Sequence, residues 1–161
     1  MRTDPGRLRW AREDEVPALE DLMLEASLLW PDHRDDLLAH PDAIEVPVDE
    51  VRTHRVRVHE QDGEVTGFAT VLPVRDGEAE LDGLFVRPAR MRHGIGGRLV
   101  ADAAQRARDE GAVRLAVVAQ PRAAVFYGRC GFRTVGETST RFGPAIRMLC
   151  DLTPLERAAR P

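Results

Sequence analysis

One feature fixes local geometry in this 161-residue chain more firmly than any other: a strand that runs directly into a glycine-rich turn and a helix. Leu81-Asp82-Gly83-Leu84-Phe85-Val86 reads as the strand, and Met91-Arg92-His93-Gly94-Ile95-Gly96-Gly97-Arg98-Leu99 as the turn and helix start. Glycines here let a ligand come close to the backbone. The unpaired amides of the first helical turn and the helix dipole then point at whatever anion arrives. The same turn could also be no more than a tight connection, so its neighbours decide its meaning.

Those neighbours give a regular order. Residues 7–10 form a short strand. Val16, Leu19, Leu22, Met23, Ala26 and Leu29 then recur at helical spacing, with Glu13, Asp14 and Glu15 placed to complement the helix dipole. A shorter helix follows over residues 32–39, and residues 42–50, with no clear period, read as a loop. Alternating runs at 51–60, 65–74 and 79–86 predict three antiparallel strands joined by turns at Asp62-Gly63 and Asp76-Gly77. After the glycine turn, Ile95, Leu99, Ala103 and Ala107 step along a helix ending at Gly111. The near-continuous apolar run 113–119 reads as a buried strand. A helix over 122–129 and strands over 132–138 and 145–152 complete the set. The order β-α-α-β-β-β-α-β-α-β-β predicts one domain over residues 1–161, with its core in residues 7–152. The fold class is mixed α+β or α/β, a mixed and mostly antiparallel sheet of about seven strands with helices on both faces.

Composition excludes several function classes. Charged residues make up 31% and hydrophobic ones 43%, a globular balance, and no apolar run is long enough to cross a bilayer. The net charge of −4 argues against nucleic acid as a partner. All 23 basic residues are arginine, so no chemistry can run through a lysine. Two cysteines, Cys130 and Cys150, lack metal-type spacing and read as ordinary thiols of a cytoplasmic protein. His33, His40, His54 and His59 show no metal or triad spacing and are expected at the surface.

The strand ending Leu84-Phe85-Val86, the turn Met91-Arg92-His93-Gly94-Ile95-Gly96 and the segment Gln120-Pro121-Arg122-Ala123-Ala124-Val125-Phe126-Tyr127-Gly128-Arg129-Cys130-Gly131-Phe132 occur in an order that resembles the GNAT (GCN5-related N-acetyltransferase) superfamily. The likeness runs from about Leu8 to Leu152. Its pyrophosphate motif is usually Gln/Arg-x-x-Gly-x-Gly/Ala, and Met91 departs from it by offering no polar side chain. Its second motif resembles Asn-x-x-Ala-x-x-Phe-Tyr-x-x-x-Gly-Phe, with Gln120 in place of the asparagine.

The resemblance implies the acyl-CoA N-acyltransferase fold, with acetyl-CoA as cosubstrate and a small-molecule or peptide amine as acceptor. It implies neither metal nor membrane nor nucleic acid, and it is compatible with a homodimer. Cofactor contacts would come from Leu84, Phe85 and Val86 on the strand, and from Arg92, His93, Gly94, Ile95, Gly96, Gly97 and Arg98 at the turn. Gln120, Ala123 and Phe126 would add to them. Amides from Arg92 to Arg98 would carry the phosphate grip. Tyr127 matches the family's general acid near the cofactor sulfur, against the plainer reading of a core tyrosine. Glu80 matches a catalytic base, and Asp82 lies on the same strand face; the alternative is a pair of solvated edge carboxylates. Trp30, Asp32 and His33 are candidates for the acceptor site, with Glu25, Asp35 and Asp36 making that side acidic. A non-catalytic acyl-CoA-binding or sensing module is the competing reading.

Overall fold

Two tight turns set the antiparallel part of the sheet. Asp62-Gly63 holds φ at 52° and 77°, and Asp76-Gly77 at 52° and 76°. Two successive positive φ values are the hairpin geometry that matches strand twist, which asparagine, aspartate and glycine adopt at least cost. In this computed structural model, which describes residues 4–152, the turns join β2 (Val56–Gln61), β3 (Glu64–Val71) and β4 (Glu78–Val86). β1 (Arg7–Trp10) pairs antiparallel with β2. β5 (Arg114–Ala119) runs parallel to β4, from Glu78 opposite Arg114 to Leu81 opposite Val117. β6 (Arg133–Thr140) and β7 (Gly143–Asp151) form the last hairpin, and the seven strands follow the order β1-β2-β3-β4-β5-β7-β6. The sheet is mixed and mostly antiparallel, as the sequence implies.

The helices are α1 (Val16–Leu28), α2 (Pro31–Ala39), α3 (Val48–Arg52), α4 (Ile95–Asp109) and α5 (Ala124–Arg129). α3 overturns two expectations, a loop through residue 50 and a strand from residue 51. Asp49 and Glu50 sit in its first turn, Val51 is buried, and His54 at φ 58° ends the excursion before β2 begins. Val51 and Val56 are five apart and would lie on opposite faces of one strand; instead Val51 is buried from a one-turn helix.

The backbone groups into two compact units, Met1–Thr70 with Gly83–Asp102, and Val71–Asp82 with Ala103–Pro161. The first buries Leu19 and Leu22 of α1 against Val56, Val58 and Phe68, with Val46 and Val51 in the same cluster. On the opposite face of β2, Arg57 reaches Asp102 of α4 through two hydrogen bonds of 3.1 and 3.2 Å. Here β2 is covered on both faces. The second unit buries Ala79, Leu81, Leu115, Val117, Met148 and Phe132.

Arg9 ties the start of the first unit together. Its guanidinium meets Glu15 at 2.7 Å and Glu60 at 2.9 Å. Arg9 holds both carboxylates below their usual range. A depressed carboxylate stabilises the folded state above its unfolded pKa and loses that contribution as pH falls through the folded one. Urea midpoints are therefore expected to drop from about pH 5 to pH 3, and Glu15→Gln to flatten that drop. Parallel acid profiles for wild type and variant would remove Glu15 from the account.

Candidate functional site

The turn after β4 is built from its exit. Arg87 locks the strand end, its amide donating to Thr66 O at 2.9 Å and its Nε to Val65 O at 2.9 Å. The same guanidinium pairs with Glu25 at 3.0 Å, so this carboxylate is already engaged. A single 3₁₀ turn, Pro88–Arg90, follows, and His93 Nδ1 donates to Arg90 O at 3.1 Å. Arg92 at φ 68° and Gly94 at φ 80° then reverse the chain into α4. Left-handed backbone suits glycine at 94 and strains arginine at 92.

Ile95, buried at the start of α4, pins the turn to the core while its amide stays free of the helix ladder. The first helical hydrogen bond of α4 runs from Arg98 N to Gly94 O at 3.1 Å. That leaves the amides of Ile95, Gly96 and Gly97 as the available donors. A side-chain carbon added at Gly94 or at Gly97 would meet nothing within 4 Å, so the space over the turn is open. Within the span Arg92 to Arg98, the amide of Arg98 is committed to Gly94. Its guanidinium bonds Pro5 O at 2.6 Å and His59 Nε2 at 3.0 Å. Met91 is exposed.

His59 is a further correction. Expected at the surface, it is 1% exposed, because α4 covers the β2 face that strand alternation assigns to water.

On β4, Leu84, Phe85 and Val86 lie beyond the stretch paired with β5, which ends at Leu81, and Phe85 packs on Phe68 with ring centroids 5.3 Å apart. Earlier in β4, Glu78, Glu80 and Asp82 share the face opposite buried Ala79 and Leu81. Arg114 and Arg147 hold Glu78 at 3.0 and 2.9 Å. Burial, then repulsion from Asp82, pushes the Glu80 carboxyl above its usual range, with Arg147 pulling weakly the other way. Asp82 is exposed.

Tyr127 of α5 is 8% exposed, its ring edge-on to Phe126 at 5.1 Å and to Phe132 at 5.4 Å. Burial raises its hydroxyl to about 12. Gln120 caps the 3₁₀ turn that leads into α5 and Ala123 closes it, donating to Gln120 O at 2.8 Å. Burial also raises the thiols of Cys130 and Cys150. Trp30 precedes α2 and is exposed; Asp32 and His33 belong to the first turn of that helix, and their side chains lie outside the described residues. Among the described residues no cluster of histidine, cysteine and carboxylate could hold a metal ion, and no helix is long and apolar enough to cross a membrane.

A mixed seven-stranded sheet whose fourth strand enters a helix through an open, amide-lined turn defines an acyl-CoA N-acyltransferase fold. The chain belongs to the acetyltransferase (GNAT) family, whose model matches residues 16–132. Solved structures agree on the fold. A GCN5-related N-acetyltransferase from Rhodopseudomonas palustris is 16% identical at TM-score 0.75, covering 94% of this chain and 99% of that one. PaiA N-acetyltransferase from Thermoplasma acidophilum, solved with coenzyme A, is 16% identical at TM-score 0.72, covering 91% and 98%. YncA from Salmonella typhimurium, solved with its cofactor acetyl-CoA, is 20% identical at TM-score 0.67, covering 92% and 95%. The comparison with curated proteins gives no match.

Proposed function

We propose that this protein transfers the acetyl group of acetyl-CoA to a primary amine by direct attack, with both substrates bound together. The observation that carries the reading is the open turn at Gly94, where the amides of Ile95, Gly96 and Gly97 have no helical partner. Such a turn holds the cofactor pyrophosphate through backbone donors and the helix dipole, without needing a polar side chain at Met91. The backbone of Leu84, Phe85 and Val86 would receive the pantetheine arm as an added strand and polarise the thioester carbonyl. Gln120, Ala123 and Phe126 would line the same arm.

Glu80 would take the proton from the amine, directly or through water, with Asp82 tuning it, and Tyr127 would donate to the departing sulfur. The amine nitrogen bonds the acetyl carbon, the carbon–sulfur bond breaks, one amine proton leaves to the base, and sulfur ends as a thiol. Trp30, Asp32 and His33 are proposed to meet the acceptor, a small molecule or a peptide. Cys130 is no acyl carrier in this scheme, since a half-buried thiol with a raised pKa is a poor nucleophile at neutral pH.

Acetyl-CoA at ten times its dissociation constant is expected to stabilise the fold by about 1.4 kcal/mol, some 3–5 °C in Tm. A panel of amines then reads out transfer as free CoA thiol. No melting shift at millimolar acetyl-CoA would sink the cofactor assignment. A shift without thiol release from any amine would favour a binding module instead.

A further inference from the structure

The face of β2 turned toward α4 carries two residues that the transfer chemistry leaves unused. Arg57 and His59 are two apart on the strand and so share this face; they meet Asp102 and Arg98, four apart and one helical turn from each other. The Arg57–Asp102 pair is an ordinary ion pair. The His59–Arg98 contact is a chain of directed hydrogen bonds, and the proton positions in it can be worked out. The Thr66 hydroxyl donates its single proton to His59 O at 3.2 Å, so its oxygen accepts from His59 Nδ1 at 2.6 Å. Nδ1 therefore carries the ring proton. Nε2 is left as the acceptor for Arg98 Nη1 at 3.0 Å.

Arg98 joins this chain to the turn. Its backbone amide closes the first hydrogen bond of α4 on Gly94 O, while its guanidinium also holds Pro5 O at 2.6 Å and Gly6 O at 3.4 Å. The surroundings leave little slack. At Gly67, opposite His59 in the β2–β3 ladder, an added carbon would stand 2.9 Å from Phe85 O and 3.2 Å from both Ile95 Cγ2 and Leu99 Cδ1. Gly6, at φ 81°, passes so close over the His59 ring that any side chain there would collide with it.

We propose that His59 is a positioning residue for the cofactor turn: by accepting from Arg98 it holds the first turn of α4, and with it the amides of Ile95, Gly96 and Gly97, where they meet the CoA pyrophosphate. The inference rests on the CoA-binding reading above. It has a built-in proton dependence. A protonated His59 presents an N–H to Arg98 instead of a lone pair, and shares Pro5 O with it as an acceptor. The charged groups facing the ring are Arg98 from α4 and Asp4 from the segment before β1; Thr66 from β3 is neutral. Burial and Arg98 hold the ring neutral, more strongly than Asp4 and Pro5 O favour the charged form. Acid is therefore expected to loosen the turn.

The test is calorimetric titration with CoA at pH 7.5 and 5.5. His59→Phe and Arg98→Met are each expected to weaken CoA binding about ten-fold at pH 7.5, a size ordinary for coupling between neighbouring sites. Arg98 is exposed, so its variant keeps the test available should the buried substitution fail to fold. His59→Gln, whose amide can both donate to Thr66 and accept from Arg98, is expected to recover most of the affinity. It should also lose less affinity than wild type on going to pH 5.5, since the CoA phosphates titrate alike in both. Wild-type affinity in His59→Phe, or the same pH dependence in His59→Gln as in wild type, would overturn the proposal. A wild-type protein that binds no CoA at either pH would instead overturn the reading beneath it.

Discussion

Tyr127→Phe is expected to slow thiol release about a hundred-fold while CoA affinity stays within about three-fold of wild type. The substitution removes one oxygen and keeps the ring that packs between Phe126 and Phe132, so the fold has no reason to change. Burial raises the hydroxyl to about 12, and the phenol is therefore protonated at every working pH. It is a donor that does not empty. A free thiol has an ordinary pKa of about 8.5, so handing a whole proton from Tyr127 to a fully formed thiolate runs uphill by roughly three units. The useful moment comes earlier, while the carbon–sulfur bond is breaking and charge builds on sulfur. A hydrogen bond that strengthens then lowers the barrier without adding to ground-state affinity, and this is why turnover and affinity should separate. A hundred-fold loss corresponds to about 2.7 kcal/mol of transition-state stabilisation, within reach of one well-placed donor. Turnover equal to wild type would return Tyr127 to the role of a core aromatic.

The sequence carried the positions of the main elements because local rules agree with the fold there. Asp-Gly pairs at 62–63 and 76–77 leave few alternatives to tight hairpins, and the four-residue step from Ile95 to Ala107 marks the buried stripe of α4, all four members of which are buried. α3 was illegible because one helical turn is too short for periodicity to report. His59 was misjudged for another reason. A strand of alternating valine and polar residues looks half solvated, and nothing in β2 itself says that a helix some 40 residues later will cover its polar face with a matching arginine and aspartate. The glycine turn is legible in the sequence, but which of its amides the helix ladder uses needs coordinates. Arg98 N closes the helix ladder, and only the three amides before it remain for a ligand. Polar contacts between distant segments leave no periodic trace, and the burial of His59 is of that kind.

Glu80→Gln should give the complementary pattern, a loss of activity together with a gain in stability. Glu80 lies half buried on β4 beside Asp82 and Glu78, and burial first, then Asp82, raises its carboxyl above the usual range. A base with a raised pKa accepts an ammonium proton with less driving force to overcome. The acid limb of kcat/KM is accordingly expected above the ordinary glutamate range, activity rising with pH as Glu80 ionises. Gln, which can accept no proton, should abolish that limb and lower kcat/KM by about a hundred-fold to a thousand-fold. The sign for stability is opposite to that of Glu15. A carboxyl whose folded pKa is raised binds its proton more tightly in the folded state, so stability falls as pH rises from the unfolded value through the folded one. Gln mimics the protonated form, and at pH 7 the variant should melt higher than wild type. Asp82→Asn separates the two carboxylates. Removing its charge lowers the Glu80 pKa, so the acid limb should move down with only a modest fall in rate. If Asp82→Asn takes the larger loss and Glu80→Gln keeps an acid limb, Asp82 is the base and Glu80 its neighbour. If Glu80→Gln gains stability and leaves turnover untouched, neither the burial nor the repulsion at this strand serves catalysis, and the proton leaves the amine by another route.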